Sequence, residues 1–386
     1  MMTHTERPAS RFHRWALLML VALSAASVQA APFTLIPIGP PRTDGFHTAT
    51  GLNNAGLVSG TVNAGDGSSD AFIWDSQTDT YIPLGPVPPP AVSRGVNASN
   101  NKINNSNQMV GTLQGGGANQ PYSWQAGVTS AIPLLPNAVS GVAENVGDGG
   151  HIVGYNTING GALPFIYDGQ GSSPLPLLPG MSRGDAVDVN IIGDAVGLQQ
   201  DSLQSGDHAV AWISGIAVDL GMSGAALTIN DFGVVSGIRI EASNRVFFSW
   251  ESGQVSDLFS AQGGRPYDSN NFGSIVGTIS GVGTQSAFLW DAGAGLLDLN
   301  DQIDSLLGWD LIEAYAINDL GQVVGRGTNP LGIAQGFLLT PTGEPFIPLP
   351  DAPGNPVPEP ASIALVTAAL VVLTMTRRRQ LKMPTA

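Results

Sequence analysis

A ten-residue unit, AINDLGQVVG at Ala316 to Gly325, recurs along the chain and constrains its fold more than any other feature. Seven copies align on the last glycine of the unit, at intervals of 40 to 51 residues. The aligned glycines are Gly60, Gly111, Gly154, Gly197, Gly237, Gly277 and Gly325. A repeat of this length is one supersecondary unit that buries its apolar face against its neighbours.

Each copy opens with the pattern of a tight turn. Four residues before the aligned glycine stands another glycine, replaced by Asn107 in the second copy. Three residues earlier stands an asparagine, replaced by Gly147 in the third copy. Asparagine first and glycine fourth favour a type I turn, so the apolar residues on both sides predict a hairpin. A ring of ligand-binding amides is the alternative, but turn chemistry explains the asparagines without a ligand.

An aromatic triplet ends thirteen to fifteen residues after each aligned glycine. The triplets are Phe72-Ile73-Trp74, Tyr122-Ser123-Trp124, Phe165-Ile166-Tyr167, Val210-Ala211-Trp212, Phe248-Ser249-Trp250, Phe288-Leu289-Trp290 and Phe337-Leu338-Leu339. The first and third residues of a triplet share one face of a strand. This predicts a hydrophobic layer between repeats, and the alternative is a sugar-stacking platform of exposed tryptophans.

A last apolar stretch closes each copy, which brings the total to about four short strands per repeat. These stretches are Ile82–Leu84, Ile132–Leu135, Leu175–Leu178, Val218–Leu220, Val255–Phe259, Leu296–Leu299 and Phe346–Leu349. An extra stretch, Phe33–Ile38, precedes the first copy and could complete a blade begun by the other terminus. The pattern predicts an all-β fold, a β-propeller-like domain over residues 31–350 with about seven four-stranded blades. A parallel β-helix is the alternative.

The unit resembles the HAF-type extracellular repeats of bacterial exported proteins, in which I-N-x-x-G-x-V-V-G and A-F-x-W recur. The resemblance covers about Phe33 to Pro350. It implies a repeat family and no known reaction.

Composition and charge exclude several classes of function. The chain has 50 Gly, 28 Pro and 0 Cys, which suits short strands and excludes disulfides, zinc-thiolate sites and thiol nucleophiles. Between Ala31 and Pro356, 28 acidic residues stand against 8 basic ones. A net charge of about −20 repels phosphate, so no nucleic-acid partner is expected.

The first 30 residues have the pattern of a secretory signal peptide. Basic residues at Arg7, Arg11 and Arg14 precede the apolar segment Trp15–Ala26. Val28-Gln29-Ala30 then matches a small-residue cleavage site, with cleavage after Ala30. The alternative, an uncleaved anchor, is disfavoured because the apolar segment is short for a membrane span.

The last residues of the chain have the pattern of a signal for sorting to the cell envelope. A Pro-rich linker, residues 351–360, precedes the uncharged segment Ala361–Thr376, and three arginines follow at Arg377, Arg378 and Arg379. We expect a single transmembrane helix within residues 361–386, with the arginines as its cytoplasmic stop. The sorting motif consists of Val357, Pro358, Glu359 and Pro360.

This order of motif, apolar helix and arginine cluster resembles the PEP-CTERM sorting signal of Gram-negative bacteria. The resemblance implies that an exosortase, a membrane-embedded cysteine protease, takes the chain as its substrate. It also implies an inner-membrane intermediate, transient contact with the membrane, and then the cell surface, outer envelope or extracellular space. Hosts of such proteins typically make an exopolysaccharide, which is therefore a candidate partner.

No catalytic, cofactor or metal motif stands out between the two ends. Asp66, Asp70, Asp148 and Asp168 lie in Gly-rich loops that suggest calcium, yet no EF-hand or nonapeptide calcium repeat occurs. The mature chain has three histidines, His47, His151 and His208, in separate repeats. No catalytic residue, cofactor or metal site is therefore predicted.

We expect an exported surface or matrix protein with a structural or interaction role in biofilm or exopolysaccharide, and no enzymatic activity. One alternative is a carbohydrate-binding module, which requires exposed tryptophans in the triplets. Another is a polysaccharide lyase or glycosidase, which requires two or three carboxylates converging at the central mouth of the ring.

Overall fold

The computed structural model describes residues 32–39, 45–64, 69–84, 101–115, 118–202, 206–242, 244–281 and 283–343. These residues form strands and two short 3-10 helices, Leu299–Gln302 and Ser305–Leu307. Within these ranges, no helix has the length and apolar character needed to cross a membrane. The predicted signal peptide, linker and C-terminal helix lie outside the described residues.

Twenty-seven strands follow one another along the described chain. The first thirteen are β1 (Phe33–Ile38), β2 (Gly45–Leu52), β3 (Leu57–Ala64), β4 (Ser69–Asp75), β5 (Thr80–Pro83), β6 (Lys102–Ile103), β7 (Met109–Gly115), β8 (Ala118–Gln125), β9 (Val128–Ala131), β10 (Ser140–Val146), β11 (Ile152–Ile158), β12 (Gly161–Tyr167) and β13 (Ser172–Pro174). The others are β14 (Met181–Val189), β15 (Ala195–Asp201), β16 (His208–Ile213), β17 (Ile216–Ile229), β18 (Val235–Glu241), β19 (Asn244–Glu251), β20 (Gln254–Ala261), β21 (Gly263–Ser269), β22 (Ile275–Ser280), β23 (Gln285–Asp291), β24 (Gly295–Asp298), β25 (Asp310–Ile317), β26 (Val323–Thr328) and β27 (Ala334–Pro341).

The described strands pair in five four-stranded sheets and one seven-stranded sheet, in a β-propeller arrangement. The four-stranded sheets are β2-β3-β4-β5, β6-β7-β8-β9, β10-β11-β12-β13, β21-β22-β23-β24 and β1-β27-β26-β25, and the seven-stranded sheet runs from β14 to β20. Strand β17 pairs with β16 up to Ser223 and with β18 from Gly224. The prediction of about seven separate four-stranded blades is therefore corrected to five, with the fourth and fifth copies sharing a sheet. The fourth and fifth copies share a sheet because β17 continues without a break from its pairing with β16 to its pairing with β18.

The predicted turns are confirmed. In the first copy, Gly56 N donates to the Asn53 carbonyl (3.0 Å), and Asn53 Oδ1 accepts from the backbone nitrogens of Ala55 (3.1 Å) and Leu57 (3.0 Å). Gly56 has φ 78°, and Asn107 takes φ 60° at the same position of the second copy. Asparagine tolerates this left-handed conformation better than most residues, which explains the one exchange of the turn glycine.

The aligned glycine has a further role that concerns the aromatic triplet. A β-carbon on Gly325 would lie 2.6 Å from Phe337 Cζ and 2.0 Å from the Glu313 carbonyl oxygen. Gly325 faces Phe337 across β26 and β27, and the same pairing joins Gly60 to Phe72. The first ring of the triplet therefore lies across the glycine, where no side chain fits.

The predicted hydrophobic layer between repeats is confirmed. Phe72 and Trp74 lie in one buried cluster with Ile38, Val324 and Leu338 of the neighbouring sheet. The first and third residues of the triplet share a cluster in the other copies too. Trp74 (3% exposed) and Trp212 (0%) are buried, while Trp124, Trp250 and Trp290 are partly buried against the core. An exposed platform made of all five tryptophans is therefore ruled out.

The extra N-terminal stretch closes the ring, as predicted. Strand β1 pairs with β27, with Phe33 opposite Pro341 and Ile38 opposite Gly336. The outer strands differ in detail from the prediction, because in the second and third copies they are β9 and β13, just before the apolar stretches. Ile132 and Leu175 of those stretches are buried instead as connections. The seventh stretch, Phe346–Leu349, lies outside the described residues, and β1 takes the outer position of that sheet.

Candidate functional site

The residues predicted from the two chain ends lie outside the described residues, so the structure does not place them. They are Ala30, Val357, Pro358, Glu359, Pro360, Arg377, Arg378 and Arg379. Their roles in cleavage, sorting and membrane stop remain predictions. The described residues contain a different candidate site, which lies along the axis of the repeats.

Turn asparagines link neighbouring copies around this axis. The side-chain Nδ2 of each donor binds the backbone carbonyl of the next copy, from Asn53 to Asn104 (3.1 Å), Asn104 to Gly147 (2.9 Å), Asn230 to Asn270 (3.2 Å), Asn270 to Asn318 (3.1 Å) and Asn318 to Asn53 (3.0 Å). The last bond joins the final copy to the first. We call the end of the molecule that carries these turns the turn face.

The following residue of each turn forms a second ring. Backbone nitrogens donate to side-chain Oδ1 atoms from Asn54 to Asn105 (2.7 Å), Asn105 to Asp148 (2.8 Å), Ile191 to Asp231 (2.9 Å), Asp231 to Asn271 (2.9 Å), Asn271 to Asp319 (2.9 Å) and Asp319 to Asn54 (2.9 Å). Most side-chain amides are thus engaged with the protein itself, which favours the structural interpretation of the asparagines over a ring of ligand-binding amides.

A β-bulge in the inner strand of each fully described copy controls what faces the axis. The register shifts at the residue three before the turn asparagine, as between Ala49 and Gly51 or between Ala186 and Asp188. A bulge sets two consecutive residues against one partner residue and redirects the side chains. The residues three and two before the asparagine therefore both line the axis, where strict alternation would expose only one.

The narrow part of the axis contains buried charges. Asp188 accepts hydrogen bonds from Asn145 Nδ2 (2.5 Å), Val189 N (2.8 Å) and Ile229 N (2.8 Å). Burial and the Asp268 carboxylate nonetheless raise the pKa of Asp188 to about 7. Burial also raises the pKa of Asp268, which the positive charge of Lys102 opposes. On the turn-face side, the axis opens into a small cavity of about 120 Å³.

On the other side of Lys102 and Asn145, the axis widens into a cavity of about 380 Å³, which we call the chamber. Its lining residues come from separate copies and are Thr50, Lys102, Asn119, Val142, Glu144, Asn145, Tyr155, Val187, Leu227, Arg265, Tyr267 and Tyr315. A cavity of this size, with aromatic and charged groups, has the dimensions of a small-ligand site.

Two tyrosines form one wall of the chamber. The rings of Tyr267 and Tyr315 lie 4.9 Å apart, and the Arg265 guanidinium lies 5.3 Å from the centre of the Tyr267 ring. Both hydroxyls donate to the Glu313 carboxylate, at 3.3 Å from Tyr267, and Arg326 pairs with the same carboxylate at 2.8 Å. Burial raises the pKa of Tyr267 to about 12 and also raises that of Tyr315. The two tyrosines therefore stay uncharged, and the Glu313 carboxylate, which is paired with Arg326, fixes the positions of their hydroxyls.

The chamber is also lined by one carboxylate, Glu144, and a second carboxylate, Asp185, is buried nearby. Burial and the neighbouring Glu144 raise the pKa of Asp185 well above its usual range, while Arg265 acts in the opposite direction. Burial, Asp185 and Glu144 together raise the pKa of Tyr155. Asp185 Oδ1 and Arg265 Nε are buried and have no hydrogen-bond partner among the described residues. Of these charged groups, Glu144 and Arg265 line the chamber, and Asp185 is buried close to both.

Sequence reasoning missed the chamber, although the sequence contains a signal for it. At the positions two and three before the turn asparagine, the repeat loses its consensus and becomes charged or aromatic, as at Lys102, Glu144 and Tyr267. A repeat position that varies while its neighbours stay constant is free of the shared core. The bulge needed to bring both positions to the axis has no comparable sequence signature.

The loop aspartates and the histidines are residue types of metal and catalytic sites, but the sequence predicts no site from them. Within the described ranges, no three His, Asp or Glu side chains are arranged to hold a metal ion. His47 and His208 lie on β2 and β16, and His151 immediately precedes β11. Asp168 Oδ1 accepts from the backbone nitrogens of Gln170 (2.9 Å) and Gly171 (3.0 Å), which is the geometry of a solvated turn.

The fold and the axial site define a β-propeller, and comparisons with solved structures support this class. A Mycobacterium tuberculosis puromycin-hydrolyzing peptidase is similar at 12% identity and a TM-score of 0.51, over 84% of this chain and 58% of that one. A Pyrococcus horikoshii acylaminoacyl peptidase is similar at 11% identity and a TM-score of 0.50, over 77% and 51%. The chain thus matches little more than half of each relative's length, and the likeness shows the fold alone.

No protein-family model matches the chain, and no curated protein matches it.

Proposed function

We propose that this chain is an exported β-propeller that binds a saccharide in the chamber and acts at the cell surface or in the extracellular matrix. The observation that supports this proposal is the combination of a tyrosine wall with charged side chains in one cavity. The rings of Tyr267 and Tyr315 offer faces for the C–H groups of a sugar. The side chains of Lys102, Glu144 and Arg265 line the same cavity and can pair with hydroxyls.

The size and charge of the chamber narrow the ligand further. A volume of about 380 Å³ suits one or two sugar units and is too small for a protein segment with bulky side chains. Both signs of charge line the chamber, from Glu144 and from Lys102 and Arg265. An exopolysaccharide terminus or branch is thus the ligand that fits both the chamber and the expected destination of the protein.

Binding can be tested by titrating the purified protein with oligosaccharides from the host exopolysaccharide. We expect wild-type binding and at least a tenfold loss of affinity for Arg265→Ala, because its guanidinium lines the chamber beside the Tyr267 ring. Arg239→Ala is the matched control, since Arg239 pairs with Asp257 and Glu241 at the surface. Saccharide binding in the chamber would be contradicted if both variants bound the oligosaccharides with equal affinity, or if the titration of the wild-type protein showed no binding.

Delivery is proposed from the sequence of the two ends. The signal peptide would be removed after Ala30, and the apolar segment Ala361–Thr376 would hold the chain in the inner membrane until an exosortase acts at Val357–Pro360. Measuring intact mass and fractionation in the host, with Pro358, Glu359 and Pro360 replaced by alanine, tests this route. We expect wild type to lose its tail and the variant to stay full-length in the membrane. Retention of the tail in both would contradict sorting.

A second candidate function is cleavage of the bound saccharide. It is favoured by the proximity of Glu144 and Asp185, because burial and the Glu144 carboxylate raise the pKa of Asp185 well above its usual range and favour Asp185 as the acid. Glu144→Gln should then abolish the formation of cleavage products from an oligosaccharide. The affinity of the variant for that oligosaccharide should stay within about threefold of the wild-type value. Absence of product from wild-type protein that binds the oligosaccharide would exclude this second function.

A further inference from the structure

Exposed apolar side chains are concentrated on one half of the turn face. The third residue of the turn is Ile192 (69% exposed), Phe232 (76%), Phe272 (42%) and Leu320 (51%) in the last four copies. The first three copies carry Ala55, Ser106 and Gly149 at this position. Because consecutive turns are hydrogen-bonded to one another, these four side chains stand on adjacent turns, and we call this set of four the apolar arc.

The described chain also begins and ends at the turn face. Strand β26 starts directly after the turn at Asn318–Gly321 and runs away from that face, so its antiparallel partner β27 returns to it. Thr342 N donates to the Pro32 carbonyl (2.9 Å), which places both described ends together. The chain therefore leaves this domain on the side that carries the apolar arc.

The sequence that follows contains the uncharged segment Ala361–Thr376. Residues 344–360 separate it from the domain, and a stretch of that length reaches about 60 Å at most when fully extended. If the apolar segment inserts in a bilayer, the turn face is held at high effective concentration beside it. Weak contacts between apolar side chains and lipid then become sufficient, although they would not recruit a free protein.

We propose that the apolar arc is a membrane-docking surface, which places Phe232 and its neighbours in the interfacial layer of a lipid bilayer while the chain is anchored. This inference rests on the anchoring step proposed above. Phenylalanine, leucine and isoleucine at exposed turn tips suit the boundary between headgroups and acyl chains. The bilayer must carry uncharged or zwitterionic lipid, because anionic lipid would repel the strongly acidic body of the protein.

The size of the arc argues for lipid rather than a second copy of the chain. A stable protein interface buries about 800 Å² on each partner and needs about 20 residues a side. Four turn-tip side chains fall well short of that number. The adjacent turns of the first three copies present small or polar residues and would leave a second copy with little to pack against.

Docking can be measured with site-directed spin labels, because the natural chain contains 0 Cys. The full chain, carrying Phe232→Cys or the matched control Leu331→Cys, is reconstituted in phosphatidylcholine vesicles and labelled with a nitroxide. Leu331 is 72% exposed and follows β26, on the opposite end of the molecule. We expect the label at 232 to be accessible to oxygen and protected from a water-soluble nickel reagent, and the label at 331 to show the reverse.

The other outcomes overturn the inference in distinguishable ways. If the protein floats with the vesicles but both labels are equally accessible to nickel, the anchor stands and docking is wrong. Dipolar broadening between labels at 232, with no change in oxygen accessibility, would assign the arc to a second copy. If the protein does not float with the vesicles, the proposed anchoring fails, and docking fails with it.

Discussion

At the residue scale, the axis of the propeller contains Asp188, a buried carboxyl group whose ionisation lowers the stability of the folded protein. Burial is the largest cause of the raised pKa of Asp188, followed by the Asp268 carboxylate, while backbone donors at Ile229 and Val189 and the charge of Lys102 act against it. A pKa of about 7 compares with about 3.9 for an unfolded aspartate. The folded protein therefore holds this proton where the unfolded chain has released it.

The sign of the pH dependence follows from this difference. The stabilising contribution of Asp188 is fully present below pH of about 4 and is lost as the pH rises to about 7. Over this window, ionisation of Asp188 should lower the unfolding free energy of the wild type by up to about 1.4 kcal/mol per pH unit, which corresponds to one proton. Asp188→Asn should remove this part of the slope. Urea unfolding from pH 5 to 8 measures it, with Asp301→Asn, at an exposed position, as the control.

Asp188→Asn also changes the hydrogen bond from Asn145, but that effect is independent of pH. The slope, rather than the stability at one pH, is therefore the informative quantity. Parallel curves for wild type and variant would show that Asp188 is already ionised in the folded protein throughout this range.

At the scale of the element, the turn combines a local and a long-range role in one side chain. Asn270 Oδ1 accepts from the backbone nitrogens of Phe272 (3.1 Å) and Ser274 (3.0 Å), which shapes the turn, while its Nδ2 binds the carbonyl of Asn318 (3.1 Å). Asn190 makes the same two local bonds, to Ile192 and Asp194, but its Nδ2 has no partner among the described residues.

The two asparagines form a natural pair for measuring the bond between copies. Asn270→Ala should cost at least about 1 kcal/mol more unfolding free energy than Asn190→Ala, because only Asn270 loses a hydrogen bond to the next copy, whereas the Nδ2 atom of Asn190 has no partner to lose among the described residues. Chemical denaturation of both variants gives the difference. Equal losses would mean that the ring of amides adds nothing beyond the shape of each turn.

At the scale of the whole molecule, the ring depends on a strand from the opposite end of the chain. Strand β1 pairs along its length with β27, and Ile38 is fully buried beside Phe72 and Leu338. The layer between the first and last copies is buried only when these two copies meet. Closure should therefore couple the copies in one cooperative unfolding transition.

Two isoleucines on β1 test this closure. Ile38→Ala should lower the unfolding free energy by about 2–5 kcal/mol, because it leaves a cavity where the first and last copies meet. Ile36→Ala, at a position 40% exposed on the same strand, should cost less than about 1 kcal/mol. Differential scanning calorimetry also reports cooperativity, and a second, separate transition in wild type would contradict the coupling of the copies.

Much of the fold could be predicted from the sequence because its signals are local. Asn53 and Gly56 shape a turn through bonds to residues two and four positions away, and Phe72 and Trp74 share a face through strand alternation. The role of Phe33–Ile38 could be inferred for the same reason, since a strand without a partner in its own copy must pair elsewhere. The seven-stranded sheet that β17 joins could not be predicted, because a strand that continues without a loop has no distinct pattern in the sequence.

The sequence alone determined the repeat, its turns and its aromatic layer, since each results from contacts within about one copy of the unit. Only the tertiary structure decided what meets at the axis. Glu144, Asp185 and Arg265 belong to three different copies, and they come close to one another because the ring of copies closes. The β-bulge of the third copy adds Glu144 to the lining of the chamber. Strand register and ring closure are non-local, so the spacing of residues along the chain does not encode which charges become neighbours.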